Sequence, residues 1–277
     1  MNWENELEIA KLLARKAGRE IIEVYFSEDR IRPEFKSNHT PVTRADVQAN
    51  KIILEGLQKF FPEDGVVSEE LEKVEGGRTW YVDPVDGTKG FVSRSDHFAV
   101  HIGLVEQRSP VLGVVFKPAT GELYYGVKGA GAFKETPSGK IIPLKIDMLI
   151  PDRNILIAGM NFSEYKLGRE MLGAIKPSNM FRSGSEGLRI LKLVENIADL
   201  HLSHTTFSTW DVCAPHAILE SAGGFLEYYD GSPVEYFGQG EMGKHLIAAR
   251  SKIGLCSAQA KLKPVLEKVK SGPGENL

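Results

Sequence analysis

The sequence predicts an α/β fold in which sheets and paired helices stack as a layered sandwich. Three observations carry this. Two long N-terminal segments have helical periodicity. The stretch after Gly65 breaks into short apolar runs of strand length. The remainder alternates strand-like and helix-like segments, with no internal repeat of ~20–50 residues.

Element by element, residues 3–26 place Leu7, Ala10, Leu13, Ala14, Ala17, Ile21 and Val24 at three- and four-residue spacings, an amphipathic helix. Residues 30–36 alternate as a strand, and 37–41 form a turn-rich loop. Thr43 then caps a second helix that reaches Phe60. Strands are predicted at 66–68, 80–82, 98–105, 111–116 and 123–127, the last two joined by a hairpin across Ala119-Thr120-Gly121. The lone Gly-x-Gly at 129–131 leaves a hairpin and is a very weak dinucleotide signal. Residues 134–140, with Pro137, Ser138 and Gly139, are the expected hinge between an N-terminal half (1–140) and a C-terminal half (141–277). Beyond it come a strand at 155–158, helices at 163–175 and 185–196, and a strand at 199–202. A helix at 211–222, strands at 225–229 and 246–249, and a closing helix at 258–270 complete the chain.

Composition narrows the function. The chain has 277 residues, is 42% hydrophobic and 26% charged, and reads as globular, with only 271–277 resembling a frayed terminus. A net charge of −3 offers no basic field for a long nucleic acid, although a few local cations or metal ions can still hold a small anion. Cys213 and Cys256 lack metal-ligand spacing and indicate no disulfide framework, so a reducing cytoplasm is expected. Charged residues through Met1–Ala17 exclude a signal-peptide core, and no run of ~18 apolar residues suggests a membrane span.

The strongest local feature is Asp83-Pro84-Val85-Asp86-Gly87-Thr88, where an apolar strand runs into two carboxylates and Pro84 and Gly87 turn the chain. If the backbone bends between them, the two acids converge, and hard cations such as magnesium need such oxygen ligands. Alternatively, both aspartates simply bond nearby backbone amides, as turn aspartates do. Val66-Val67-Ser68-Glu69-Glu70 ends a neighbouring strand in acids, either as a solvated end or beside Asp83. Asp211 starts a helix and can be an N-cap or a ligand. Thr43-Arg44-Ala45-Asp46 matches a capping box.

Together these residues resemble the inositol monophosphatase superfamily. Asp83 to Thr88 matches its Asp-Pro-(Ile/Leu)-Asp-Gly-Thr motif. Trp210-Asp211 with Ala214 and Ala222-Gly223-Gly224 matches the second motif in order and spacing, and Ser68-Glu69-Glu70 and Pro41 to Asp46 match two further elements. Gly87-Thr88-Lys89-Gly90-Phe91 is similar to the 3′(2′),5′-bisphosphate nucleotidase branch, whose members remove the 3′-phosphate from adenosine 3′,5′-bisphosphate.

The resemblance implies a layered αβαβα sandwich and a magnesium-dependent phosphomonoesterase. Glu69, Asp83 and the Val85 carbonyl would hold one Mg2+, and Asp83, Asp86 and Asp211 a second. A third ion near Glu69 would make two to three per site. Thr88 with Asp46 would orient and deprotonate the attacking water, with Glu69 also counted as catalytic. Gly87 and Thr88 would cradle the phosphate with their amides, and Lys89, Gly184, Ser185, Arg189, His204 and Asp211 would be the further substrate contacts. Lithium inhibition and homodimerisation are further family expectations. The sequence departs from the branch pattern at two points. Arg189 stands for a lysine usual after Gly184-Ser185, and Ser203-His204 replace an arginine that helps bind the second phosphate. An inositol or sugar-bisphosphate phosphatase is therefore the enzymatic alternative, and a non-catalytic nucleotide-binding module the alternative of another class. His97 and His101 on one strand would stand ~13 Å apart, too far to share a metal. His201 is expected to flank the substrate side, and Cys213 to be a small buried helix residue.

Overall fold

Strand alternation sorts the apolar side chains onto two faces of each sheet, and this sorting builds the layers. A computed structural model describes residues 3–27, 34–35, 41–74, 76–147, 156–159, 166–203, 207–237, 241–242 and 245–271. The N-terminal part runs α1 (Glu4–Tyr25), β1 (Glu34–Phe35), β2 (Pro41–Val42), α2 (Arg44–Phe60), β3 (Gly65–Ser68), β4 (Leu71–Val74), β5 (Thr79–Asp86), α3 (Thr88–Val92), β6 (Ala99–Glu106), β7 (Ser109–Lys117), β8 (Glu122–Val127), β9 (Gly131–Glu135) and β10 (Ile141–Leu144). There follow β11 (Leu156–Gly159), α4 (Lys166–Ile175), β12 (Asn179–Arg182), α5 (Glu186–Val194), β13 (Leu200–Leu202), β14 (Phe207–Ser208), α6 (Thr209–Ser221), β15 (Phe225–Tyr228), β16 (Glu241–Met242), β17 (Leu246–Ala249) and α7 (Lys252–Ser271).

An eight-stranded sheet has the order β10-β9-β8-β7-β6-β5-β3-β4, and a five-stranded sheet the order β12-β11-β13-β17-β15. Three cores separate five layers. Trp80, Val82, Ile102 and Leu104 of the large sheet pack on Leu13, Ile21, Ile53 and Leu57 of α1 and α2. The opposite faces of β5 and β8, carrying Tyr81 and Tyr124, meet Ile190 and Leu193 of α5 and Ile218 of α6, as do Leu246 and Ala248 of the small sheet. On the far side of the small sheet, Leu200, Leu202 and Ile247 bury Met171 of α4 and Leu255 and Leu262 of α7. The helix–sheet–helix–sheet–helix order is the expected αβαβα sandwich.

Several expectations change in detail. Residues 134–140 are no hinge: Lys134 and Glu135 end β9 and 136–140 form the turn of the β9–β10 hairpin, closed by Thr136 N–H donating to the Lys140 carbonyl at 2.9 Å, so the large sheet continues to Leu144. Alternation there is mostly half-exposed, which is why β9 and β10 read as a spacer. The strands β2, β4, β12, β14 and β16 were not expected. The closing helix begins at Lys252 rather than 258, with the Ser251 hydroxyl accepting from the Gly254 amide at 3.1 Å. Of the strand expected at 30–36, Glu34–Phe35 is observed and the rest lies outside the described residues.

Candidate active site

Residues three apart on a regular strand point to opposite faces, yet the Asp83 and Asp86 carboxylates share one. The cause is a bulge. Asp83 pairs with His101 and Asp86 with Ala99, so three steps on β5 match two on β6. Asp83 thus keeps the face of Tyr81, and Asp86 is turned onto it, while Val85 goes to the opposite core. The strand therefore runs through the motif to Asp86, and the chain turns only at Gly87, whose φ is +92°. A Cβ there would lie 2.4 Å from the His97 carbonyl oxygen, so only glycine makes this turn.

Parallel pairing of β3 with β5 ends at Ser68 opposite Val82, and the Glu69 amide donates to the Val82 carbonyl at 3.3 Å, which sets Glu69 beside Asp83. Asp211 arrives from α6. It is the third helical residue, not the cap: Ser208 is the N-cap, and the Ser208 amide donates to Asp211 Oδ2 at 2.8 Å in a capping box. The helix comes close because Gly103, Gly113 and Gly126, paired across β6, β7 and β8, leave a groove for its backbone. A Cβ on Gly113 would stand 2.1 Å from the Ala214 carbonyl oxygen. One oxygen each from Asp83, Asp86 and Asp211 lies within 4.8 Å of the others.

Beside this cluster, Asp46 sits buried at the start of α2. Thr43 donates to its Oδ2 from the amide at 2.8 Å and from the hydroxyl at 2.5 Å, so the capping box is formed. Its Oδ1 lies 3.3 Å from the Thr88 hydroxyl, which is also 3.2 Å from the Val85 carbonyl oxygen. Burial lifts the Asp46 carboxyl above its ordinary range, against the pull of the Thr43 bonds.

The C-terminal half touches the site differently from expectation. Ser185 caps α5 and is fully buried, and its hydroxyl donates to Asp86 Oδ2 at 2.6 Å. The Glu186 and Gly187 amides also donate to Asp86, at 3.1 and 2.9 Å. Arg189 is likewise buried, its guanidinium held by Glu186 and by the Ser185 carbonyl oxygen. His201 is fully buried against Glu186. Lys89 and Gly184 are exposed, and His204 lies outside the described residues. His101, set aside as a metal partner of His97, instead places Nε2 3.2 Å from Asp86 Oδ2. It and Glu186 were missed because both belong to the site only through contacts remote in sequence. Cys213 is buried on α6, as expected.

Burial, and then the charges of Glu69, Asp86 and Asp211, push the Asp83 carboxyl well above its ordinary range. Asp211 is pushed up by burial and then chiefly by Asp86. Among the described residues no lysine or arginine forms an ion pair with Asp83, Asp86 or Asp211. Clustered carboxylates without counter-charge repel one another unless cations neutralise them, and an all-oxygen donor set suits a hard divalent ion such as Mg2+. The residues fit the metal.

Residues 2–267 match the profile of the inositol monophosphatase family. The 3′(2′),5′-bisphosphate nucleotidase CysQ of Salmonella typhimurium is 34% identical over 81% of this chain and 91% of its own length. A histidinol-phosphatase of Chlorobaculum parvum is 30% identical over 88% of this chain and 96% of its own. Among solved structures, the extragenic suppressor protein suhB of Bartonella henselae superposes with a TM-score of 0.81 at 25% identity, covering 94% of this chain and 99% of that one. Fold and site thus define a phosphatase, a hydrolase acting on phosphoric monoesters. The chain belongs to the inositol monophosphatase family. Among the described residues, no helix is long and apolar enough to cross a membrane.

Proposed function

We propose that this chain is a Mg2+-dependent 3′(2′),5′-bisphosphate nucleotidase converting adenosine 3′,5′-bisphosphate to AMP and phosphate. The observation that supports it best is the Thr88–Asp46 pair standing beside the three-aspartate cluster. Asp83, Asp86 and Asp211, with Glu69 and the Val85 carbonyl, would hold two to three Mg2+ ions. Mg2+ held there would neutralise the carboxylates and would supply acidified water and stabilisation of charge on the phosphoryl and leaving oxygens. Thr88 takes the proton of the attacking water at Oγ1 as its own proton passes to Asp46 Oδ1. Burial strengthens Asp46 as that base. Lys89, exposed one residue beyond Thr88, is the cation offered to a second phosphate. The similarity to CysQ nucleotidases favours this substrate.

One observation favours a second reading, a phosphatase for a singly phosphorylated alcohol: Arg189 is held by Glu186 instead of standing free for a second phosphate. Phosphate release from adenosine 3′,5′-bisphosphate, inositol 1-phosphate and histidinol phosphate, with Mg2+ and with chelator, separates the two. We expect the nucleotide to lead in kcat/KM by at least about tenfold, equivalent to ~1.4 kcal/mol of transition-state binding. A reversed ranking installs the second reading, and turnover undiminished by chelator removes the metal from both.

A further inference from the structure

Asp86 is held by an element of the other half of the sandwich. Oδ2 receives the Ser185 hydroxyl at 2.6 Å and the Gly187 amide at 2.9 Å, and Oδ1 receives the Glu186 amide at 3.1 Å. These donors form the first turn of α5, whose free amides and dipole favour a carboxylate. His101 Nε2 stands 3.2 Å from Oδ2 without forming a hydrogen bond to it, so two donors meet Oδ2 and only one reaches Oδ1. Ser185 has little capacity left for anything else. Its hydroxyl accepts from the Leu188 amide at 3.1 Å, its amide donates to Ser183 Oγ at 3.2 Å, and its carbonyl accepts from Arg189 Nε at 3.2 Å.

We infer that Ser185 and the first turn of α5 are the positioning element for Asp86, saturating Oδ2 so that Oδ1 is presented to the metal. The proposal rests on the metal reading above. Ser185 acts through Asp86, not on the substrate. Groups that orient a metal ligand in this way are worth roughly 10–100-fold in metal affinity.

The test is calorimetric titration of the full-length chain with Mg2+ alone. Ser185→Ala and Ser185→Gly, the latter well tolerated at an N-cap, should each raise the Mg2+ Kd about tenfold or more while circular dichroism stays that of the wild type. In an Asp86→Asn background, Ser185→Ala should change the remaining Mg2+ affinity by less than about twofold, because the two residues act in series. Unaltered Mg2+ affinity with a raised KM would overturn the proposal and return Ser185 to the substrate. So would a full, independent loss in the Asp86→Asn background. A wild-type chain that takes up no Mg2+ overturns the metal reading first, and this proposal with it.

Discussion

The Thr88 hydroxyl has one proton and two acceptors in reach, the Asp46 carboxylate and the Val85 carbonyl. Its lone pairs are what a water proton would meet. Thr88→Ala should therefore lower kcat by about 10²–10⁴, the usual worth of a placed general base, with Mg2+ affinity close to wild type. Thr88→Ser should keep most of the activity, and steady-state kinetics beside Mg2+ calorimetry checks both. At this scale, what was legible was local. The Thr43–Asp46 capping box follows from a three-residue spacing, and the Asp83–Asp86 motif from its turn residues. The bulge that puts both aspartates on one face was not legible, because it is a property of the pairing with β6. Ser185 and Arg189 were placed at the substrate by the family resemblance; the bond from Ser185 to a carboxylate 99 residues earlier leaves no mark in local sequence, whereas the Glu186–Arg189 pair is a three-residue spacing that was there to read.

Among the elements, α6 is the one whose seating decides the site, since it carries Asp211 over the glycine groove of β6, β7 and β8. Gly113→Ala forces the helix backbone away from a Cβ that would stand 2.1 Å from the Ala214 carbonyl oxygen. Such overpacking costs ~1–3 kcal/mol, and the displaced helix should lower kcat at the same time. Gly173 on α4 is the contrast: a Cβ there meets nothing within 4 Å. Gly173→Ala should stabilise by about 0.5–1 kcal/mol with kcat unchanged, and urea unfolding reads both. Helix and strand positions were largely legible because α1 and α2 each bury one face with a clear period, while β5 to β8, buried on both faces, stand out as short apolar runs. The groove was available in principle, since glycine inside a strand marks a close backbone approach. That Gly103, Gly113 and Gly126 align depends on register, which one strand at a time does not reveal.

At the scale of the whole molecule, α5 is pinned to the large sheet at both ends. Its N-terminus grips Asp86; its C-cap, Glu195, accepts from Tyr124 Oη at 2.6 Å and pairs with Lys134 at 3.2 Å and Lys192 at 2.7 Å. Lys134 also pairs with Glu122, which meets Lys117 at 2.5 Å. Burial pushes the Glu122 carboxyl up, but Lys117 and Lys134 outweigh it and draw it down to about 2. A carboxyl depressed below its unfolded value of ~4.3 contributes stability that is fully present above that pH. The contribution is lost as pH falls toward about 2 and the folded-state group takes up its proton. Glu122→Gln should therefore lower the melting temperature at neutral pH and flatten its decline between about pH 4.5 and 2, relative to wild type. Melting curves across that window check it, and parallel slopes for the two proteins would show that Lys117 and Lys134 do not hold the Glu122 carboxyl down. Because the same helix orients Asp86 at its other end, the variant should also bind Mg2+ more weakly at neutral pH, though by less than Ser185→Ala, whose missing hydroxyl touches the ligand itself.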